Sequence, residues 1–117
     1  MQFEKFRAYC LDKPGAHEEQ PLGNDSFYYK LGDMVFAIAD KGEEYRLTLK
    51  CDPQQAIDLR NTHACVKPGY HINKEHWNTF LMEAVEELPL SPWIDQAYDL
   101  TLSKLSKKKR ERLGLSA

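Results

Sequence analysis

The stretch from Ser26 to Asp40, SFYYKLGDMVFAIAD, decides the fold. Phe27, Tyr29 and Leu31 alternate with Tyr28 and Lys30, Gly32-Asp33 offers a tight turn, and Met34, Phe36 and Ile38 continue the alternation. A period of two on both sides of a Gly-Asp pair predicts an antiparallel hairpin. Lys41-Gly42-Glu43-Glu44 is a second polar turn, after which YRLTLKCD resumes the period. Leu47, Leu49 and Cys51 fall on one face of this third strand, and Arg46, Thr48 and Lys50 on the other. The three strands follow one another as a meander.

Helices are expected on either side. Phe3, Phe6 and Cys10 recur at helical spacing from about Gln2 to Leu11, and Pro14-Gly15 ends that segment. Asp52-Pro53 combines a capping side chain with proline at the first helical position, so PQQAIDLRNT is read as a helix with Ala56, Ile57 and Arg60 inward. Lys67-Pro68-Gly69 is a breaker, and HWNTFLM reads as a last strand. Ser91-Pro92 repeats the cap-plus-proline pattern before a long helix whose apolar face is Ile94, Ala97, Tyr98, Thr101 and Leu105, and the basic KKKRERLG follows. Runs of strands flanked by helices define an α+β sandwich, an antiparallel β-sheet with helices on one face and the other face open to water.

At 117 residues the chain is expected to be one domain, 1–117, with a basic tail from about 104 to 117. Size scaling gives a folded surface of about 6,600 Å², which leaves room for one core without staples. Apolar residues make up 42% and charged residues 29%, an ordinary globular balance. No stretch approaches the roughly 20 apolar residues that cross a bilayer. Glu4, Lys5 and Arg7 stand where a signal peptide would need an apolar run, so the expected location is cytoplasmic, away from membranes. Cys10, Cys51 and Cys65 are odd in number and widely spaced, which predicts reduced, at least partly buried thiols. The net charge of −2 hides an asymmetry: five acids and no base lie between Glu83 and Asp99, and six bases with one acid between Lys104 and Arg112.

Several kinds of chemistry lack their pattern. His63, Cys65, His71 and His76 lie close together, but without the paired spacings of a zinc site, and no metal or cofactor is expected. Neither Cys51 nor Cys65 with His71 shows the orienting group and oxyanion pocket of a nucleophile pair. The glycines are isolated, so no phosphate-cradling loop is present. Glu18-Glu19 and Glu86-Glu87 read as solvated acids. The constellation that stands out is basic and aromatic: Arg46 and Lys50 on the polar side of a strand, then Lys67, Tyr70, His71, Asn73, Lys74, His76, Trp77 and Asn78. Lysines can pair with phosphates, Asn can read an adenine edge, and Trp or Tyr can stack on a base. The competing reading packs Trp77 and Tyr70 in the core and turns Asn73 and Asn78 onto their own loops.

GNDSFYYKLGDMVFA, RLTLKCDP, KPGYHINKEHWNTF and IDQAYDLTLSKLSKKKR, in that order and separation, closely resemble the MmcQ/YjbR family of small bacterial proteins. The resemblance implies a CyaY/frataxin-like sandwich and DNA binding through a "double wing" of hairpins and loops, with no catalytic residues to carry over. Matched by position, it assigns nucleic-acid contacts to Arg46, Lys50, Lys67, His71, Asn73, Lys74, His76, Trp77 and Asn78. The expectation is therefore a monomeric, non-enzymatic DNA-binding protein. The alternative is a protein-interaction module that uses the open sheet face and takes a protein partner instead of DNA.

Overall fold

In the computed structural model, residues 1–21, 25–42, 44–69, 72–81, 85–86 and 88–115 are described. Their elements are α1 (Phe3–Leu11), β1 (Ala16–Glu19), β2 (Ser26–Leu31), β3 (Met34–Asp40), β4 (Arg46–Lys50), α2 (Pro53–Thr62), β5 (Val66–Pro68), β6 (Trp77–Phe80), α3 (Ser91–Lys104) and α4 (Lys107–Arg112). The strands form one six-stranded sheet in the order β1-β2-β3-β4-β6-β5, every neighbouring pair antiparallel. Gly32 makes the β2–β3 turn at φ +59°, a left-handed value that glycine reaches without a Cβ penalty.

The alternation read along β3 breaks at its centre. Tyr29 pairs with Ala37 but Lys30 pairs with Val35, so Phe36 is an extra residue in β3, a β-bulge. Phe36 and Ala37 are both fully buried, and the inward set beyond them is Ala37 and Ala39. Ile38, expected inward, lies in register with Tyr28 and Thr48 on the opposite face. The bulge lets two consecutive residues reach the core, and the phase of the strand changes after it.

Two strands have no apolar signature. Ala16–Glu19, assigned no element from the sequence and with Glu18-Glu19 expected as solvated acids, pairs with β2 as an edge strand whose acids are engaged. Glu18 accepts hydrogen bonds from Arg7 Nε at 2.7 Å and the Tyr29 hydroxyl at 2.9 Å. Glu19 bonds His17 at 2.7 Å and Lys30 Nζ at 3.1 Å, and these two contacts, His17 first, hold its carboxyl below the usual range. Val66–Pro68, expected as part of a breaker, pairs with β6. Gly69 follows because there is no room for a side chain: a Cβ there would lie 2.7 Å from both Ile72 Cγ2 and Trp77 Cβ.

The helices cover one face. α3 packs on β3 and β4, α2 on β5 and β6, and α1 beside β1. Asp52 caps α2 as expected, its Oδ2 accepting from the Gln54 and Gln55 amides at 3.2 Å each, an interaction typically worth about 1 kcal/mol. Within α2 the inward residues are Ala56 and Leu59, whereas Ile57, expected inward, is 42% exposed. Ser91 is the first helical residue of α3; Leu90 occupies the N-cap position with no side-chain cap, and Pro92 sits where the missing amide has no helical partner to lose.

One cluster of buried side chains unites these layers, and the accessible surface of 6731 Å² matches the value expected for a single compact body of this size. Phe6 meets Tyr29 edge-on at 5.6 Å, and Phe36 meets Tyr98 edge-on at 5.7 Å. Each aromatic pair adds about 0.5–1.5 kcal/mol beyond its buried area. Cys10 and Cys51 are buried free thiols, and desolvation pushes Cys51 up to about 12. Among the described residues no helix is long and apolar enough to cross a membrane.

A polar clasp ties α1 to α3. Asp95 accepts from the Tyr9 hydroxyl at 2.8 Å and from Lys13 Nζ, and the Lys13 hydrogen bond, ahead of the Tyr9 one, lowers the Asp95 pKa. A carboxylate with a lowered folded pKa stabilises the fold above its unfolded pKa and loses that contribution as the pH falls through the folded value. Asp95→Asn should therefore be about 1 kcal/mol less stable than the parent at pH 7, a small figure because the pair is partly solvated. The two urea-unfolding curves should converge as the pH drops below the ordinary carboxylate value of about 3.9. A difference that persists at low pH would show that the clasp is not ionic.

Candidate nucleic-acid interface

Antiparallel pairing assigns each loop to one end of the sheet. At the end marked by Gly32 lie the start of β1, the Gly32-Asp33 turn, the end of β4 and the β5–β6 connection. The C-terminal helix folds against the same end. Lys109 Nζ stands 4.0 Å from Asp33 Oδ1, and Leu105 and Leu113 line a shallow apolar recess with Gly32. The capping hydroxyl of Ser106 accepts from the Lys109 amide at 3.2 Å and starts α4 there.

The ends differ in charge. Lys67, Lys74, Lys104, Lys107, Lys108 and Lys109 are all exposed and belong to the Gly32 end, where Asp33, Asp52, Glu75 and Glu111 are the nearby acids. The opposite end carries Glu19, Asp25, Asp40 and Glu44, with Lys41 and Arg46 as its bases. Neighbouring strands lie about 4.8 Å apart, so the three steps from β3 to β5 spread the basic groups over roughly 15 Å.

The residues expected to touch nucleic acid are distributed unevenly over this geometry. Lys67 on β5 and Lys74 in the following loop are exposed at the basic end. Arg46 is at the acidic end, with Nε 3.5 Å from Asp40 Oδ2. Lys50 is at the basic end but only 9% exposed. Asn73 caps its own loop, its Oδ1 accepting from the Glu75 and His76 amides at 2.8 and 3.3 Å. His76 is half-buried, and its carbonyl accepts from the Cys51 amide at 2.7 Å. Trp77 is buried, and Asn78 is fully enclosed. The Asn78 amide donates to Ala56 O at 3.1 Å and accepts from Arg60 Nη1 at 2.7 Å, so both ends of its amide are occupied. His71 and Tyr70 lie outside the described residues.

Arg60 was expected only as an inward helix residue. It bridges Asn78 and the Lys74 carbonyl, the latter at 3.3 Å, and so sets the loop carrying Lys74 against α2. No local pattern marks that role, because its partners lie 14 and 18 residues away. The outer sheet face is not flat: Tyr28, Ile38, Thr48 and Ile72 enclose a hollow of about 290 Å³ beside the Asp40–Arg46 pair. Among the described residues, no group of three His, Cys, Asp or Glu is placed to hold a metal ion.

Fold and surface together define a class: a small α+β protein with a helix-backed six-stranded antiparallel sheet, whose outer face is open at β2 and β3 but buried at Thr48, Trp77 and Thr79, and a basic end built from a hairpin turn, a loop and a C-terminal helix. The YjbR family model matches residues 11–100, and the chain belongs to that family. The uncharacterized protein YjbR of Escherichia coli (strain K12) is 32% identical over 117 residues, covering 97% of this chain and 98% of that protein. YyaQ of Bacillus subtilis (strain 168) is 39% identical over 61 residues, 51% of either chain. The crystal structure of Deinococcus radiodurans protein DR2400, with family-model domain DUF419, aligns at a TM-score of 0.83 and 29% identity over 97% of this chain and 90% of that one. A Pseudomonas syringae structure shares the fold at a TM-score of 0.71 and 23% identity, covering 86% of this chain and 99% of that one.

Proposed function

We propose that this chain is a cytoplasmic, non-enzymatic DNA-binding protein that presents the Gly32 end of its sheet to the phosphate backbone. The observation that carries the reading is the segregation of charge: exposed Lys67, Lys74, Lys104 and the lysines of α4 at one end, Glu19, Asp25, Asp40 and Glu44 at the other. A cationic patch of this kind steers and holds a polyanion even on a protein of net negative charge. The Gly32-Asp33 turn and the loop before β6 are the two wings, and α4 extends the patch past the first of them. The same proposal takes the architecture as CyaY-like, supported by a sheet with helices on one face only. Reduced thiols at Cys10, Cys51 and Cys65 suit a cytoplasmic setting.

The test is fluorescence anisotropy with a labelled duplex at several salt concentrations. Log affinity should fall linearly with log salt, by about 0.9 for each phosphate neutralised. Replacing Lys107, Lys108 and Lys109 together by glutamine should flatten that slope by up to nearly 3 and weaken binding at low salt. Absence of binding at low salt, or a slope unmoved by the triple substitution, would overturn the reading.

A second reading, a protein-docking module, is favoured by the hollow between Tyr28, Ile38, Thr48 and Ile72 on the open face. It separates cleanly from the first, since Ile72→Asp alters the hollow without removing a cation from the basic end.

A further inference from the structure

The β3 bulge builds the hollow on the outer sheet face. Val35 and Ile38 are three residues apart and would fall on opposite faces of a regular strand. The insertion at Phe36 turns both outward, Val35 in register with Lys30 and Ile38 with Tyr28. Bulges re-aim side chains in this way and are over-represented beside functional sites. Two neighbouring rows of the ladder then give the hollow, about 290 Å³ in volume, two unlike halves. One row is Tyr28, Ile38 and Thr48, the last with its hydroxyl engaged by Thr79 at 3.0 Å. The other row, roughly 7 Å away along the strands, is Ser26, Asp40 and Arg46. Ile72, from the loop before β6, forms a side wall and is able to sit there because Gly69 has no side chain to meet it. At the polar end Arg46 Nε stands 3.5 Å from Asp40 Oδ2, against 2.7 Å between Arg7 and Glu18, and the Ser26 hydroxyl donates to Asp40 Oδ1. Solvent still reaches the pair, with 31% of the Arg46 side chain and 25% of the Asp40 side chain exposed. Opposite charges therefore lie side by side at one end of an apolar hollow, without closing tightly on each other.

We propose that this hollow binds one free α-amino acid with an apolar side chain, branched or aromatic. Its ammonium meets Asp40, its carboxylate meets Arg46, and its side chain lies among Val35, Ile38 and Ile72. A cavity of about 150 Å³ accommodates one benzene ring, so this hollow admits about a dozen heavy atoms, the size of leucine or phenylalanine. Its make-up is that of a small-ligand pocket, apolar walls with a few convergent polar groups that fix orientation. Charge selects the head group. A simple carboxylate would be repelled by Asp40 and a simple amine by Arg46, whereas an ammonium and a carboxylate on one carbon meet both charges with opposite partners. A side chain within a polypeptide has neither group, so this occupant differs from the partner of the protein-docking reading. The charged pair stands at the end of the sheet opposite the exposed lysines, and the site does not depend on the DNA reading.

The test is a titration of the full chain with L-leucine and with L-phenylalanine, read by backbone amide NMR shifts. Each is run beside three analogues: one lacking the ammonium, one lacking the carboxylate, and the N-acetyl amide, which lacks both charges. Saturable shifts are expected at Tyr28, Ile38 and Thr48 with at least one of the two amino acids, and its analogues should bind at least tenfold more weakly. Asp40→Asn and Arg46→Gln should each weaken binding at least tenfold, while Lys107→Gln should leave it unchanged. If the two site variants do not fold, the analogue series on the parent protein decides the matter by itself. Shifts that only grow linearly with concentration for both amino acids, or site variants that bind as the parent does, would overturn the proposal. An N-acetyl amide that binds as tightly as its amino acid would also overturn it, and would give the hollow to a peptide side chain instead. Amino-acid binding without duplex binding overturns only the DNA reading, and the converse overturns only this one.

Discussion

Phe36→Ala should lower folding stability by about 3–5 kcal/mol, read as a fall in the urea midpoint with an unchanged slope. Phe36 is fully buried, meets Tyr98 at an interplanar angle of 89°, and is the inserted residue of the β3 bulge. Its ring joins the sheet to α3, so truncation opens a cavity that rigid strand neighbours on either side cannot collapse to fill. Small domains have only about 5–15 kcal/mol of net stability, and a loss on this scale leaves a measurable unfolded fraction in water. Phe36→Leu should recover a large part of the loss because it refills most of the volume. A Phe36→Ala loss below about 1 kcal/mol, within the range of a surface change, would show that the ring is not packed as described.

Asn78→Ala is expected to cost about 2–3 kcal/mol, because a buried amide with both ends bonded is replaced by a void and Arg60 loses its 2.7 Å acceptor. Asn78 is a structural tie in this geometry, holding α2 to the sheet through Ala56 O and, through Arg60, the loop that carries Lys74. The variant should unfold at lower urea, yet its folded fraction should bind duplex DNA with the same salt slope as the parent. A changed slope with unchanged stability would return Asn78 to the binding surface. The two measurements separate a residue that builds the interface from one that touches the ligand.

Features defined by neighbours in the chain were legible from the sequence. The β2–β3 hairpin, the Asp52-Pro53 start of α2 and the Ile94-Ala97-Tyr98-Thr101 face of α3 each follow from local periodicity or capping. β1 was not legible, since Ala-His-Glu-Glu has no alternation and is supported by Tyr29, Arg7 and Lys30 from elsewhere. The bulge at Phe36 was equally hidden, because it arises from the register with β2. Within the candidate site, Lys67, Lys74 and the basic tail could be seen as charges, whereas the burial of Trp77, Asn78 and Lys50 could not.

By itself the sequence determined the main helices and strands other than β1 and β5, the class of the fold and the family, because helix, strand and turn preferences act over a few residues. Only the tertiary structure decided where charge gathers and which polar groups remain free. β6 enters the sheet between β4 and β5, which brings Lys67, Lys74, Lys50 and α4 to one end and leaves Arg46 at the other with Asp40. Burial and pairing are set by groups far apart in the chain: the long-range partners of Asn78 close off its amide, and Asp95 draws Tyr9 and Lys13 onto α3.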